Sequence, residues 1–70
     1  MASVSYFYIQ KDVSNQWRWR FAATNGKTIA VSSESYHNLR DCEHSVELIK
    51  KEAPTSPVIG DSDYDKAKKS

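Results

Sequence analysis

A single cysteine, Cys42, excludes any disulfide within the chain. A dominant charge is also missing: ten basic residues face nine acidic ones, whereas proteins that track phosphate backbones usually carry a clear basic excess. Apolar runs stop after a few residues, so no stretch has the length of a membrane-spanning helix. The first residues hold no basic segment leading into a long apolar one, so no secretory signal is expected. Together with the unpaired cysteine, this gives an expected cytoplasmic location. Histidines number two, and metal ligands are correspondingly scarce. These absences matter because the chain has only 70 residues. A domain of about 60 residues buries only about 60% of the surface that its unfolded chain exposes. Disulfides, metals or oligomerisation usually support domains of this size, and here oligomerisation is what remains.

What the sequence does contain is periodicity. Residues 5–11 alternate, with Phe7 and Ile9 on one side and Tyr6, Tyr8 and Gln10 on the other. Residues 16–24 alternate again, with Trp17, Trp19, Phe21 and Ala23 against Arg18, Arg20 and Ala22. Period two in aromatic and apolar residues predicts half-buried strands. Asp12-Val13-Ser14-Asn15 between them suits a type I turn closed by Asn15 in the left-handed region. Asn25-Gly26 predicts a second hairpin with a two-residue loop, and β-branched Ile29 and Val31 mark a third strand from about Lys27 to Ser33.

A helix follows. Asn38 is a good N-cap, and Asp41 places negative charge at the positive helix end. Leu39, Cys42, Val46, Ile49 and Ala53 recur at steps of three and four, which makes one apolar stripe. Lys50 and Lys51 complement the last turn, and Pro54 ends it. After Pro57, Val58-Ile59 has the composition of a short edge strand. From Gly60 on, the chain is too polar to bury anything. Residues 1–60 are therefore read as one domain and 61–70 as a disordered polar tail. The fold class is α+β: a three-stranded antiparallel sheet in β-β-β-α order, with one amphipathic helix on one face.

Directly paired residues share a sheet face, so loop lengths assign the faces. A two-residue loop at Asn25-Gly26 pairs Thr24 with Lys27, Phe21 with Ala30, Trp19 with Ser32, Ala22 with Ile29 and Arg20 with Val31. A three-residue loop at Val13-Ser14-Asn15 pairs Asp12 with Gln16, Phe7 with Phe21 and Ile9 with Trp19. One face then carries Phe7, Ile9, Trp17, Trp19, Phe21, Ala23, Ala30 and Ser32, and lies under the helix. The other carries Tyr6, Tyr8, Arg18, Arg20, Ala22, Ile29 and Val31. One helix cannot cover both faces. Ile29 and Val31 would each gain about 1.5–3 kcal/mol on full burial. This second face is the candidate interface for a homodimer; the other reading is a tolerated, partly exposed face, since scattered surface apolar residues are ordinary.

Read in order, the pieces are Phe7-Tyr8-Ile9, Lys11-Asp12, Trp17-Arg18-Trp19-Arg20-Phe21, Asn25-Gly26-Lys27, Ile29-Ala30, Ser32-Ser33, Tyr36, Asn38, Val46, Ile49-Lys50 and Ala53. In this order and spacing the chain resembles the YegP-like family of small, largely uncharacterised, mainly bacterial and archaeal proteins. The likeness runs from residue 6 to about residue 59. It departs from the family pattern at Asn15 and Ser35, where glycine is usual. The resemblance implies a β-β-β-α unit that often occurs as two tandem copies. One copy here implies a homodimer resembling the two-repeat protein. The family brings no established catalytic residues.

No chemistry competes with this. Cys42 and His44, at i and i+2 on a helix, point apart, and Cys42 belongs to the apolar stripe as a small hydrophobe. His37, Asp41 and His44 fall at i, i+4 and i+7, a metal-like spacing, but His37 precedes the cap and lies outside the helix. Neither a metal nor a cofactor is expected. Glu47 and Lys51 form a favourable pair on a solvated face. With no paired acid and base, no glycine-rich phosphate loop and no supported nucleophile, an enzyme is not expected, and no small-molecule substrate is implied. The alternative to self-association is single-stranded nucleic-acid binding, with bases stacked on Tyr6 and Tyr8 beside Arg18 and Arg20.

Overall fold

The computed structural model describes residues 4–69. The alternating segments form β1 (Tyr6–Lys11), β2 (Trp17–Ala22) and β3 (Thr28–Val31), in one antiparallel sheet of order β1-β2-β3. The helix α1 spans Leu39–Glu52, and the Asp41 amide donates to Asn38 Oδ1 at 2.9 Å, so Asn38 is the N-cap. The β-β-β-α order expected of the sequence is the order observed.

The first hairpin has the expected loop. Asn15 has φ 62°, its amide donates to the Asp12 carbonyl at 3.0 Å, and the Asp12 amide donates to the Gln16 carbonyl at 2.8 Å. Phe7 pairs with Phe21 and Ile9 with Trp19.

The second hairpin corrects the expected loop length. The Ala23 amide donates to the Lys27 carbonyl and the Gly26 amide to the Ala23 carbonyl, each at 2.8 Å. The loop is therefore Thr24-Asn25-Gly26, three residues. Only Gly26 takes a positive φ, +87°. The Lys27 amide donates to Asn25 Oδ1 at 3.0 Å, a local bond that holds Asn25 in an ordinary turn conformation. The register nevertheless returns to the expected one. Phe21 pairs with Ala30 and Arg20 with Val31, but Ala22 pairs with Thr28, so Ile29 is an extra residue on β3. A one-residue bulge offsets a one-residue longer loop, and the faces keep their parity.

Beyond β3, Tyr36 makes an isolated bridge to Trp17, with reciprocal amide–carbonyl bonds of 2.7 and 2.8 Å. It brings the start of α1 back over the sheet. Cys42 is wholly buried and Val46 nearly so, while Ile49 is half-buried and Leu39 and Ala53, the ends of the stripe, are exposed. Trp19 Nε1 donates to Ser45 Oγ at 3.0 Å, which ties β2 to α1. Ser32 is buried too, and its hydroxyl donates to the Glu34 carbonyl at 3.0 Å.

Two expectations for the C-terminal segment are corrected. Val58 and Ile59 lie in no strand, because Pro57 has no amide hydrogen to donate and no described strand runs beside them. The polar stretch is not structureless: Ser62–Lys69 forms a second helix, α2, in which no residue is buried. Asp61 starts it by accepting from the Tyr64 amide at Oδ1, 3.0 Å away, and aspartates at its first turn and lysines at its last complement the helix ends. Residue 70 of that stretch lies outside the described residues. The radius of gyration is 15.2 Å over extents of 46 × 28 × 23 Å, against about 11 Å for a compact chain of this length.

Candidate functional site

The outer sheet face is built by pairing. Tyr8, Arg20 and Val31 lie in one cross-strand row, Tyr6, Ala22 and Thr28 in the next, and Gln10 pairs with Arg18. Alternation back from Ala30 puts Ile29 on this face beside Thr28. Two consecutive residues on one side is what a bulge produces. Ile29, Val31 and Tyr8 are 61%, 64% and 46% exposed. Tyr6 is half-buried. Ala22 is 1% exposed, so it presents no surface to a partner. Its methyl group is too short to rise above its neighbours on the central strand.

Both arginines of this face are engaged within the chain. Arg20 stacks over the Tyr8 ring, 4.6 Å from its centroid. Arg18 Nε donates to Asp12 Oδ2 at 2.9 Å. The Asp12 carboxylate also accepts from the amides of Ser14 and Gln16 at 2.8 and 3.1 Å, and from the Ser35 hydroxyl at 3.4 Å. The Arg18 guanidinium, then the Gln16 amide, hold its pKa below the ordinary carboxylate value. This cluster was not legible in advance, since it joins the first loop to the segment before α1. Ser35 uses its hydroxyl there, which a glycine lacks.

The inner face is covered only in part. Phe7 stands edge-on to Trp19 at 5.5 Å and tilted against Phe21 at 4.8 Å, and all three rings are half-buried. These rings and Ala30 form one wall of a groove of about 370 Å³, whose other wall is Ile49, Ala53 and Pro54 with Lys50 at the lip. The aromatics that the sequence assigned to the core are on the helix side, but α1 ends too soon to close over them.

The other candidates gather nothing. Burial, then the Glu43 charge, push the Cys42 thiol pKa up, away from thiolate chemistry. Among the described residues no three His, Cys, Asp or Glu side chains are placed to hold a metal ion, and His37, Asp41 and His44 are all exposed. No helix among them is long and apolar enough to cross a membrane.

Residues 12–59 match the family described as Domain of unknown function (DUF1508). The chain belongs to that family. Its resemblance to the YegP-like proteins is thereby borne out over most of the chain. UPF0339 protein NMB1088 of Neisseria meningitidis serogroup B is 40% identical over 53 residues, which are 76% of this chain and 93% of that one. A UPF0339 protein of Treponema denticola is 42% identical over 53 residues, 76% of this chain and 90% of that one. Among solved structures, the NMR solution structure of a protein from Haloferax volcanii matches with a TM-score of 0.75 at 30% identity, covering 87% of this chain and all of the other. The DUF1508 fold of this chain is thus an α+β fold with a solved counterpart, and the family is one of unknown function.

Proposed function

We propose that this DUF1508 chain is a non-catalytic interaction module that acts as a homodimer in the cytosol. One observation carries this. Among the described residues, the buried apolar side chains are Ala22, Cys42 and Val46, while Ile29, Val31, Val58 and Ile59 stand 61–87% exposed. Apolar burial stabilises at about 25 cal/mol per Å², so a small domain that leaves such residues in water gains from a second copy that covers them. Tyr8, Ile29 and Val31 on the outer sheet face are part of that uncovered surface, with Tyr6, Arg18 and Arg20 beside them.

Light scattering of the full chain across a concentration series tests this. A mass of two chains at micromolar concentration is expected. A mass of one chain at several hundred micromolar removes the proposal. Adding a mixed oligonucleotide pool in the same experiment tests the nucleic-acid alternative. Arg18 and Arg20 would first have to leave Asp12 and Tyr8, so no change in mass is expected.

A further inference from the structure

The open groove on the inner face and the exposed pair Val58-Ile59 are two incomplete halves of one contact. The groove has a nearly wholly apolar lining from Phe7, Trp19, Phe21, Ile49, Ala53 and Pro54. Val58 and Ile59 are 79% and 87% exposed, among the most exposed large apolar side chains described. Taking the self-association proposed above as its basis, we propose that Val58 and Ile59 of one copy fill the groove of a second copy, and that the exchange is reciprocal.

The way the chain leaves α1 decides between its own groove and a neighbour's. Ala53–Thr55 forms a 3₁₀ turn straight after α1. The Ser56 amide donates to the Ala53 carbonyl at 3.1 Å, and the hydroxyls of Ser56 and Thr55 donate to the Glu52 carbonyl at 2.7 and 3.2 Å. Ser56 is extended, at φ −78° and ψ 134°, and Pro57 holds it so. Three hydrogen bonds and two prolines thus fix the exit from α1, and with the chain so held neither Val58 nor Ile59 lines the groove of its own copy. The segment that is short of a contact stays outside the groove of its own copy, with Val58 and Ile59 left in water. A second copy removes the conflict, and a two-fold pair closes it with two segments in two grooves.

Charge agrees with that occupant. Lys50 sits at the groove lip and Lys51 follows it in the last turn of α1. Asp61 and Asp63 come two and four residues after Ile59. A segment that seats Val58 and Ile59 in the groove carries those carboxylates toward the lysines at its lip.

The test uses the full chain, and mass by light scattering is the readout. Wild type is expected as two chains. Because Val58 and Ile59 bury little in the single chain, a Val58→Asp, Ile59→Asp variant keeps its circular dichroism spectrum, and it is expected as one chain, with self-affinity reduced at least tenfold. Ala30→Trp, which fills the groove from the exposed third strand, is expected to do the same. Lys50→Glu is expected to weaken association several-fold, with the difference shrinking in high salt. Persistence of two chains in either the Val58/Ile59 variant or Ala30→Trp overturns this assignment while leaving self-association intact. A wild type of one chain overturns both.

Discussion

Trp19 and Ser45 meet at 3.0 Å, indole nitrogen to hydroxyl, across 26 residues of sequence. The Ser45 hydroxyl also donates to the Cys42 carbonyl at 2.7 Å, so its orientation is set by the helix backbone. Ser45→Ala leaves the indole N–H without its acceptor. The pair is only partly buried, so water takes over some of the lost bond, and the expected cost is about 1 kcal/mol. In a domain this small that lowers the Tm by about 4–8 °C. Urea titration followed by tryptophan fluorescence checks it, and Ser45→Thr, which keeps the hydroxyl, should lie between the two.

Asp12 makes stability depend on pH in one direction. Its pKa is lowered in the folded chain, first by Arg18 and then by the Gln16 amide. A carboxylate with a depressed folded pKa adds stability above its unfolded pKa and loses it as pH falls through the folded value. Asp12→Asn keeps an oxygen for the Ser14 and Gln16 amides and removes the charge. The Tm of the variant should fall below that of wild type at pH 7, and the gap should close as pH drops below the ordinary value of 3.8. Equal gaps at pH 7 and pH 2 would show that the charge plays no part.

Much of the fold was written in alternation and caps: Phe7/Ile9, Trp17/Trp19/Phe21 and the cap Asn38 all stand where their spacing puts them. The second loop was not legible, because Asn-Gly serves both a two-residue turn with two positive φ values and a three-residue one in which only glycine needs it. Nor was the bulge, since Ile29 reads as an ordinary strand residue. The groove was hidden for another reason: it depends on where α1 stops relative to Phe7 and Phe21, a relationship between distant parts of the chain. The longer loop and the bulge together yield a prediction. With a three-residue loop, removing Ile29 makes the β2–β3 ladder regular and leaves Phe21 opposite Ala30 and Arg20 opposite Val31. The Ile29 deletion should therefore fold. Its NMR spectrum should retain the cross-strand contacts of those pairs, and a shifted pairing would refute the bulge.

Cys42 should be silent toward thiol reagents until the chain opens. Its side chain has 0% exposure, and burial raises its pKa. The attacking species is the thiolate, so both effects slow reaction. An opening free energy of about 3 kcal/mol makes labelling roughly 150-fold slower in buffer than in urea at the same pH. Fast labelling in buffer would place Cys42 outside the core.

The two glycines differ in what they supply, and two alanine variants separate the roles. Gly26 has φ +87°, and a Cβ built on it meets nothing within 4 Å. Gly26→Ala therefore costs backbone strain alone, about 1 kcal/mol, and lowers the Tm of the whole sheet. At Gly60, a Cβ would lie 2.5 Å from the Tyr64 side chain, too close for either to remain in place. Gly60→Ala must shift Tyr64 or the chain at residue 60, and so disturbs the Tyr64 amide bond to the Asp61 carboxylate that starts α2. Since no residue of α2 is buried and Tyr64 packs locally against Gly60, the Tm of the sheet should barely change, while helical signal falls and amide shifts move between residues 58 and 69. A Gly60→Ala variant that melts several degrees early would mean that α2 supports the sheet after all.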